Sequence, residues 1–344
     1  MKKKQKIVKL VVAFLVLILL VGGYILTMQL NKGEDAEEDT EEEDFVVTTV
    51  EKDDITQLVY DQDGEEIVLK KKGKKWVTPN DPACPVNTYT VDAMKNSMEE
   101  VKASRKIEAD KVDEQEYGFK KPSKVITYTT KDGEEVTFTL GKLNSVVDKY
   151  YFRMTGDDAA YLIDTTMYNS FDYNLLELAE VEEYPSVGSQ DVAEYKLTYQ
   201  GKTMYIVDSK DAAHKKNEDT IPDPVWKSGT DRANLKKMDT DTADKMIQAV
   251  IGLTNSECVT YNRTEKEEKK YGLDKPVMTL TVNYTEMKES DKKNISDIVD
   301  KSFTVYFGDC NEDSGEYYVY ADDFNGIYTM NVSNVNTLQS IFES

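Results

Sequence analysis

Polar and apolar positions alternate along this chain in short runs, and the same succession of runs occurs twice. Val125–Gly141 ("VITYTTKDGEEVTFTLG") alternates about an Asp-Gly turn and predicts a β-hairpin. "VMTLTVNY" and "SFTVYFG" repeat the pattern, separated by a polar insertion over Thr285–Lys301. A second hairpin follows in each case, Tyr150–Asp164 in one copy and Tyr317–Asn331 in the other. Each copy opens on strands, ending at Trp76 and Trp226, and closes on a short helix ("TTMYNSFDYNLLELA", "SNVNTLQSIF"). The second carries a further polar insertion, Asp208–Pro224.

The helical period occurs once per copy. Over Thr90–Ile107 and Thr242–Val259, Met94 falls on Met246, Met98 on Val250, Val101 on Leu253 and Ile107 on Val259. Apolar residues at i, i+4 and i+7 predict an amphipathic helix. Thr90 and Thr242 are the expected N-caps, with Asp92 and Asp244 in the first turn beside the positive helix end. Downstream come "YGFKKP" (Tyr117–Pro122) and "YGLDKP" (Tyr271–Pro276), each after a charged stretch. The reading is a helical turn closed by Gly118 or Gly272 in the left-handed conformation, with Phe119 and Leu273 entering the core. Pro122 and Pro276 bar any continuation of the helix.

The fold class expected is therefore α+β: two tandem modules, 49–185 and 190–344, each of antiparallel hairpins packed with one amphipathic helix. The short "EEYPSVGSQ" between them is read as joining packed neighbours, with a flexible hinge as the alternative.

The N-terminus reads differently. Lysines crowd residues 1–9, Leu10–Leu30 is uncharged and apolar, and 31–48 is dominated by carboxylates. About 20 apolar residues in a helix cross a hydrocarbon core. No convincing small-x-small cleavage site follows, so an uncleaved signal anchor is expected, with the N-terminus cytoplasmic and the bulk extracellular. The acidic segment has nothing to bury and is expected to be a disordered tether.

The formal charge of −22 disfavours nucleic acid and anionic lipid as partners. "KKKGKK" (Lys70–Lys75) places its glycine where a hairpin would turn. Cys84, Cys258 and Cys310 lie far apart with no CxxC, and Cys258 reads as a core filler. The one histidine, His214, lies in a lysine-flanked polar insertion and is a poor general base. Asp309, Asn311 and Asp313 begin like a calcium loop, but Ser314 and Tyr320 stand where its glycine and bidentate glutamate belong. No Gly-rich phosphate loop occurs, and no catalytic, metal-binding or cofactor-binding residues are assigned. Among 22 tyrosines, the pairs Tyr150/Tyr151 and Tyr317/Tyr318 are candidates for a partner surface, alternation turning one ring in and one out.

The order Trp76/Trp226, Tyr117-Gly118/Tyr271-Gly272, Pro122/Pro276, Gly141/Gly308 and the two YY pairs, behind a single apolar span, resembles the bacterial domain-of-unknown-function family 4340. The resemblance covers most of Thr49–Asn331. It implies an envelope protein that accompanies ABC-transporter subunits of the gliding-motility auxiliary type, and it brings no catalytic residues. The function expected is a membrane-anchored extracellular binding or scaffold protein. A cell-wall or polysaccharide-binding protein is the alternative, and a carboxylate-based hydrolase a remote one.

Overall fold

The computed structural model describes residues 44–209, 224–287 and 298–342. Leu10–Leu30, His214 and the basic N-terminus lie outside them. Among the described residues no helix is long and apolar enough to cross a membrane.

The first module contributes β1 (Phe45–Thr49), β2 (Ile55–Gln62), β3 (Glu65–Lys72), β4 (Lys75–Val77), α1 (Thr88–Glu99), β5 (Glu100–Ala103), β6 (Arg105–Ile107), β7 (Lys124–Thr130), β8 (Glu135–Asn144), β9 (Lys149–Met154), β10 (Ala160–Ile163) and α2 (Thr166–Ser170). The second contributes β11 (Val192–Tyr199), β12 (Lys202–Asp208), β13 (Trp226–Gly229), β14 (Lys236–Lys237), α3 (Thr240–Ile251), β15 (Cys258–Thr260), α4 (Glu265–Lys270), β16 (Met278–Met287), β17 (Ile298–Asn311), β18 (Glu316–Ala321), β19 (Ile327–Asn331) and α5 (Val332–Ser340).

The strand order is β4-β3-β2-β7-β8-β9-β10-β6 in one sheet and β14-β13-β12-β11-β16-β17-β18-β19-β15 in the other. Apart from the extra edge strand β14, the two orders are the same order. The duplication read from residue patterns is thus a duplication of topology, and every pairing is antiparallel. The predicted hairpins form, with Gly73 of the lysine run and Gly133 of the Asp-Gly turn both at positive φ. The arms of β16 and β17 pair as far as Met287 and Ile298, so the polar insertion there begins as an extension of the hairpin.

Each helix lays an apolar stripe on its sheet: Val91, Met94 and Met98 from α1, and Ala243, Met246, Ile247 and Val250 from α3. Both helices run for 12 residues, about the three turns their periodicity predicts, and end before the last apolar positions of the aligned stretches. α1 gives way at Glu100 to β5, so Val101 is buried from a strand, although its place in the apolar stripe looked helical. The caps also differ from expectation. Asn87 accepts from the amides of Tyr89 (2.9 Å) and Thr90 (3.3 Å), which puts Thr90 inside the first turn. Asp239 accepts from the Thr242 amide at 3.1 Å. In both cases a short carboxamide or carboxylate three residues upstream reaches the open amides first. Asp92, displaced from the first turn, pairs instead with Lys95 Nζ at 2.7 Å.

The segment expected as tether over 31–48 is structured at its end. Phe45–Thr49 forms β1, which pairs with β5 in a separate two-stranded sheet. The acidic composition stops at Asp44, and the Phe-Val-Val-Thr-Thr that follows is an aromatic and β-branched run that favours a strand, although Phe45 and Val46 stay exposed.

Candidate functional site

The repeated Tyr-Gly phrase is a contact between backbones. Gly118 and Gly272 take φ of +84° and +70°. The carbonyl of Tyr117 accepts from the Lys142 amide, and that of Tyr271 from the Asp309 amide, each at 2.9 Å. These amides follow Gly141 and Gly308, where β8 and β17 bulge out of register with β9 and β18. A Cβ on Gly141 or Gly308 would lie inside contact distance of the Tyr117 or Tyr271 carbonyl oxygen. Two glycines far apart in sequence are therefore needed at one place, so that a turn can lie flat on a bulge. Phe119 and Leu273 are both buried beneath it.

The first tyrosine pair does not form the expected outward surface. Tyr150 and Tyr151 point to opposite faces but are each only 9% exposed. Tyr150 stacks on Tyr168 of α2 (4.6 Å between centroids), and Tyr151 stacks on Tyr117 (4.4 Å). Alternation assigned the faces correctly, but both faces of this hairpin are covered. In the second module Tyr317 and Tyr318 are half-buried, with Tyr318 against Tyr271 at 4.4 Å. Trp76 and Trp226 are both buried, the first beneath Lys95 and the second against Tyr195. Among the described residues no cluster of three or more His, Cys, Asp or Glu could hold a metal. Asn311 Oδ1 accepts from the amides of Asp313 and Ser314, so the calcium-like segment is a hydrogen-bonded hairpin turn.

What the structure does bring together is a seam. Residues after α2 run back along the first module, where Val86 bridges Ala179 and the Glu180 amide donates to the Pro85 carbonyl at 2.6 Å. Glu182 then reaches the second module. Its carboxylate accepts from the amides of Asn325 (2.9 Å) and Gly326 (3.0 Å) and from the Tyr328 hydroxyl (2.9 Å). The Tyr184 hydroxyl donates to Asn255 Oδ1, whose own amide donates to the Glu182 carbonyl, both at 2.7 Å. Across the seam, the Tyr261 hydroxyl donates to Asp81 at 2.6 Å. Tyr261 and Cys258 pack against the first module's core, and Cys258 touches the second core as well.

Burial pushes the Cys84 thiol up to about 12 and the Cys258 thiol up to about 11, so both stay protonated and unreactive. All three cysteines are unpaired.

Beside the seam opens a cleft of about 790 Å³, walled by Pro85 and Asn87 of one module, Glu183 of the linker, and Phe324 and Asn325 of the other. Tyr89, 85% exposed, stands on its rim. The residue patterns had not singled it out. The signal was its place in α1, off the Val91–Met94–Met98 stripe.

A family model described as "Domain of unknown function (DUF4340)" matches the chain over residues 76–228 and again over 226–343. The chain belongs to the DUF4340 family. Both DUF4340 matches begin at a buried tryptophan, Trp76 or Trp226. The first runs through the linker and takes in β11 and β12, so the unit the family model follows is out of phase with the sheets. No curated protein and no solved structure matches the chain.

Proposed function

We propose that this DUF4340 protein is a membrane-anchored extracellular scaffold that binds a protein partner in the envelope, as an accessory to an ABC-transport system. The apolar run Leu10–Leu30 behind its lysines supports the anchor and the outward orientation of the bulk. The observation that carries the binding role is the seam cleft, with walls from both modules and the linker and an exposed tyrosine at its mouth. Tyrosines are favoured at protein interfaces because one ring offers a large apolar face and a polar tip. The wall-binding alternative drew on outward tyrosine pairs; the burial of Tyr150 and Tyr151 takes away one of them and leaves the half-buried Tyr317 and Tyr318.

The test is affinity purification of the full-length protein from its native membrane in mild detergent, with mass spectrometry of the eluate. A permease and an ATPase that co-purify, and are depleted by Tyr89→Ala, support the proposal. An eluate without them overturns the accessory role.

A further inference from the structure

The turn between β8 and β9 in the first module has a counterpart between β17 and β18 in the second, built in the same way. Asn144 pairs across its turn with Lys149, and Asn311 with Glu316. Asn144 Oδ1 accepts from the Val146 amide at 3.1 Å, and Asn311 Oδ1 from the Asp313 amide at 3.0 Å. Asp148 and Gly315 hold the same place in the two turns and both take a left-handed φ, +52° and +68°. An asparagine and one left-handed residue thus set the backbone, and the tip side chains are free to vary.

The two tips differ in kind. The second, Asp309–Glu316, carries four carboxylates and no cation. The first, Lys142–Lys149, carries two lysines and one carboxylate, and it reads Leu143, Val146 and Val147 where the second has Cys310, Asp313 and Ser314. Val146 is 90% exposed and Val147 49%, and Leu143 is exposed as well. These side chains add nothing to the core, and the acidic twin forms its turn without them. Single exposed apolar residues are ordinary, but three within five positions, flanked by lysines, make an apolar tip with a basic collar. The lysines also spare this tip the repulsion that its twin would meet at headgroup phosphates.

Its position says what the tip faces. Lys149 Nζ lies 3.5 Å from Asp44 Oδ1, so the turn sits beside the point where the chain enters the described fold. Phe45 and Val46, the next residues, are exposed too. Thirteen residues, Asn31–Glu43, separate the apolar run from Asp44. At about 3.3–3.6 Å per extended residue, a span at Leu10–Leu30 would hold Asp44 within about 45 Å of the bilayer. A tether of that length sets an effective concentration on the order of millimolar, at which even a weakly inserting tip stays docked.

We propose that the β8–β9 tip docks the first module onto the bilayer that holds the chain's own anchor, with Val146, Val147 and Leu143 entering the headgroup–acyl boundary and Lys142 at the phosphates of zwitterionic lipids. Docking rests on the anchor reading of Leu10–Leu30 and adds to it a defined membrane-facing side of the first module.

The test reconstitutes the full-length protein into phosphatidylcholine nanodiscs with a nitrobenzoxadiazole label on one exposed thiol. Ser145→Cys in a Cys310→Ser background labels the first tip, and native Cys310 labels the second. Fluorescence is compared with and without lipids carrying a doxyl quencher high on the acyl chain. The expected result is quenching at residue 145 several-fold above that at residue 310. Val146→Asp with Val147→Ser should bring it down to the level of residue 310. These are the residues that the same turn carries in the second module, so the fold accommodates them. Equal quenching at the two tips, or quenching that survives the double substitution, overturns docking. Retention in the discs is read separately, by co-elution in size-exclusion chromatography. A chain that is not retained overturns the anchor and docking together, whereas a retained chain with equal quenching overturns docking alone.

Discussion

The two modules share a topology strand for strand, yet they bury the same signature differently. In the second, Leu273 joins the main core of the module. In the first, Phe119 belongs to a small satellite cluster with Tyr151, Ala160 and Leu162, capped by the Arg153 guanidinium 4.6 Å above its ring. The glycines differ too. A Cβ on Gly118 would meet the backbone nitrogen of Lys142 at 2.5 Å, whereas the three atoms nearest one on Gly272 all belong to the Asp309 side chain. What the two copies hold in common is the approach of turn to bulge, and the side chains around it are free to vary. A family signature of this kind records a backbone contact and is compatible with different cores and different surfaces.

The sharpest way to break the likeness is to add one carbon. Gly141→Ala and Gly308→Ala each press a Cβ into a carbonyl oxygen that cannot move without its turn. Each is expected to destabilise its own module by about 3–4 kcal/mol in chemical denaturation, near the top of the range for single substitutions. The comparison sharpens at the other glycine. Both Gly118→Ala and Gly272→Ala carry a left-handed penalty of about 1–2 kcal/mol. Gly118→Ala should be the more damaging, because Asp309 can swing aside and the Lys142 backbone cannot. Equal losses would mean that the bulge itself yields.

Leu273→Ala should follow, at about 2–3 kcal/mol measured as global unfolding of the second module. Phe119→Ala is expected to raise amide exchange in 113–121 with a smaller effect on global stability, since its cluster is separate from the main core.

Alkali tests both modules and the seam together. Burial raises Tyr161 of the first module and Tyr306 of the second from the usual 10 to about 12, and it holds the seam thiols above their usual 9. The unfolded chain therefore releases these protons first as pH rises. Stability conferred by the protonated forms is complete below about pH 9 and is lost between pH 9 and 12. Thermal melting at successive pH values should show a steady fall over that window, with tyrosinate absorbance rising cooperatively at the unfolding step.

The smallest expected effect is at the seam. Tyr261→Phe removes one hydrogen bond to a carboxylate, about 1.5–2 kcal/mol. The modules should then melt as two calorimetric transitions in place of a more tightly coupled one, and an unchanged profile would assign the coupling to the Glu182 contacts instead.

Much of this architecture was legible in the chain because strands and hairpins follow local rules. Alternation, Asp-Gly turns and the punctuation around Gly118 and Gly272 were enough to place the hairpins, but not the order in which the sheets join them or the short strands β5, β6, β14 and β15. Helix limits were less legible, because Met98 and Val101 keep the helical spacing while the backbone changes state between them. Burial of Tyr150 was not readable at all, since its cover, Tyr168, lies on another element. The seam was hidden for the same reason. Glu182 is one carboxylate among 65 acidic residues, and only the loop at Asn325 and Gly326 makes it distinctive.

The short ladder between β1 and β5 has a mechanical meaning. The described chain enters its fold through β1, and β5 continues directly from α1, which packs on the sheet. A pull arriving at Asp44 along the strand would load the ladder in shear, with its bonds sharing the force. A pull directed sideways would open it from Phe45, one pair at a time. Within the described fold this ladder would be the first part to feel a pull arriving at Asp44, and the direction of that pull would decide whether it holds.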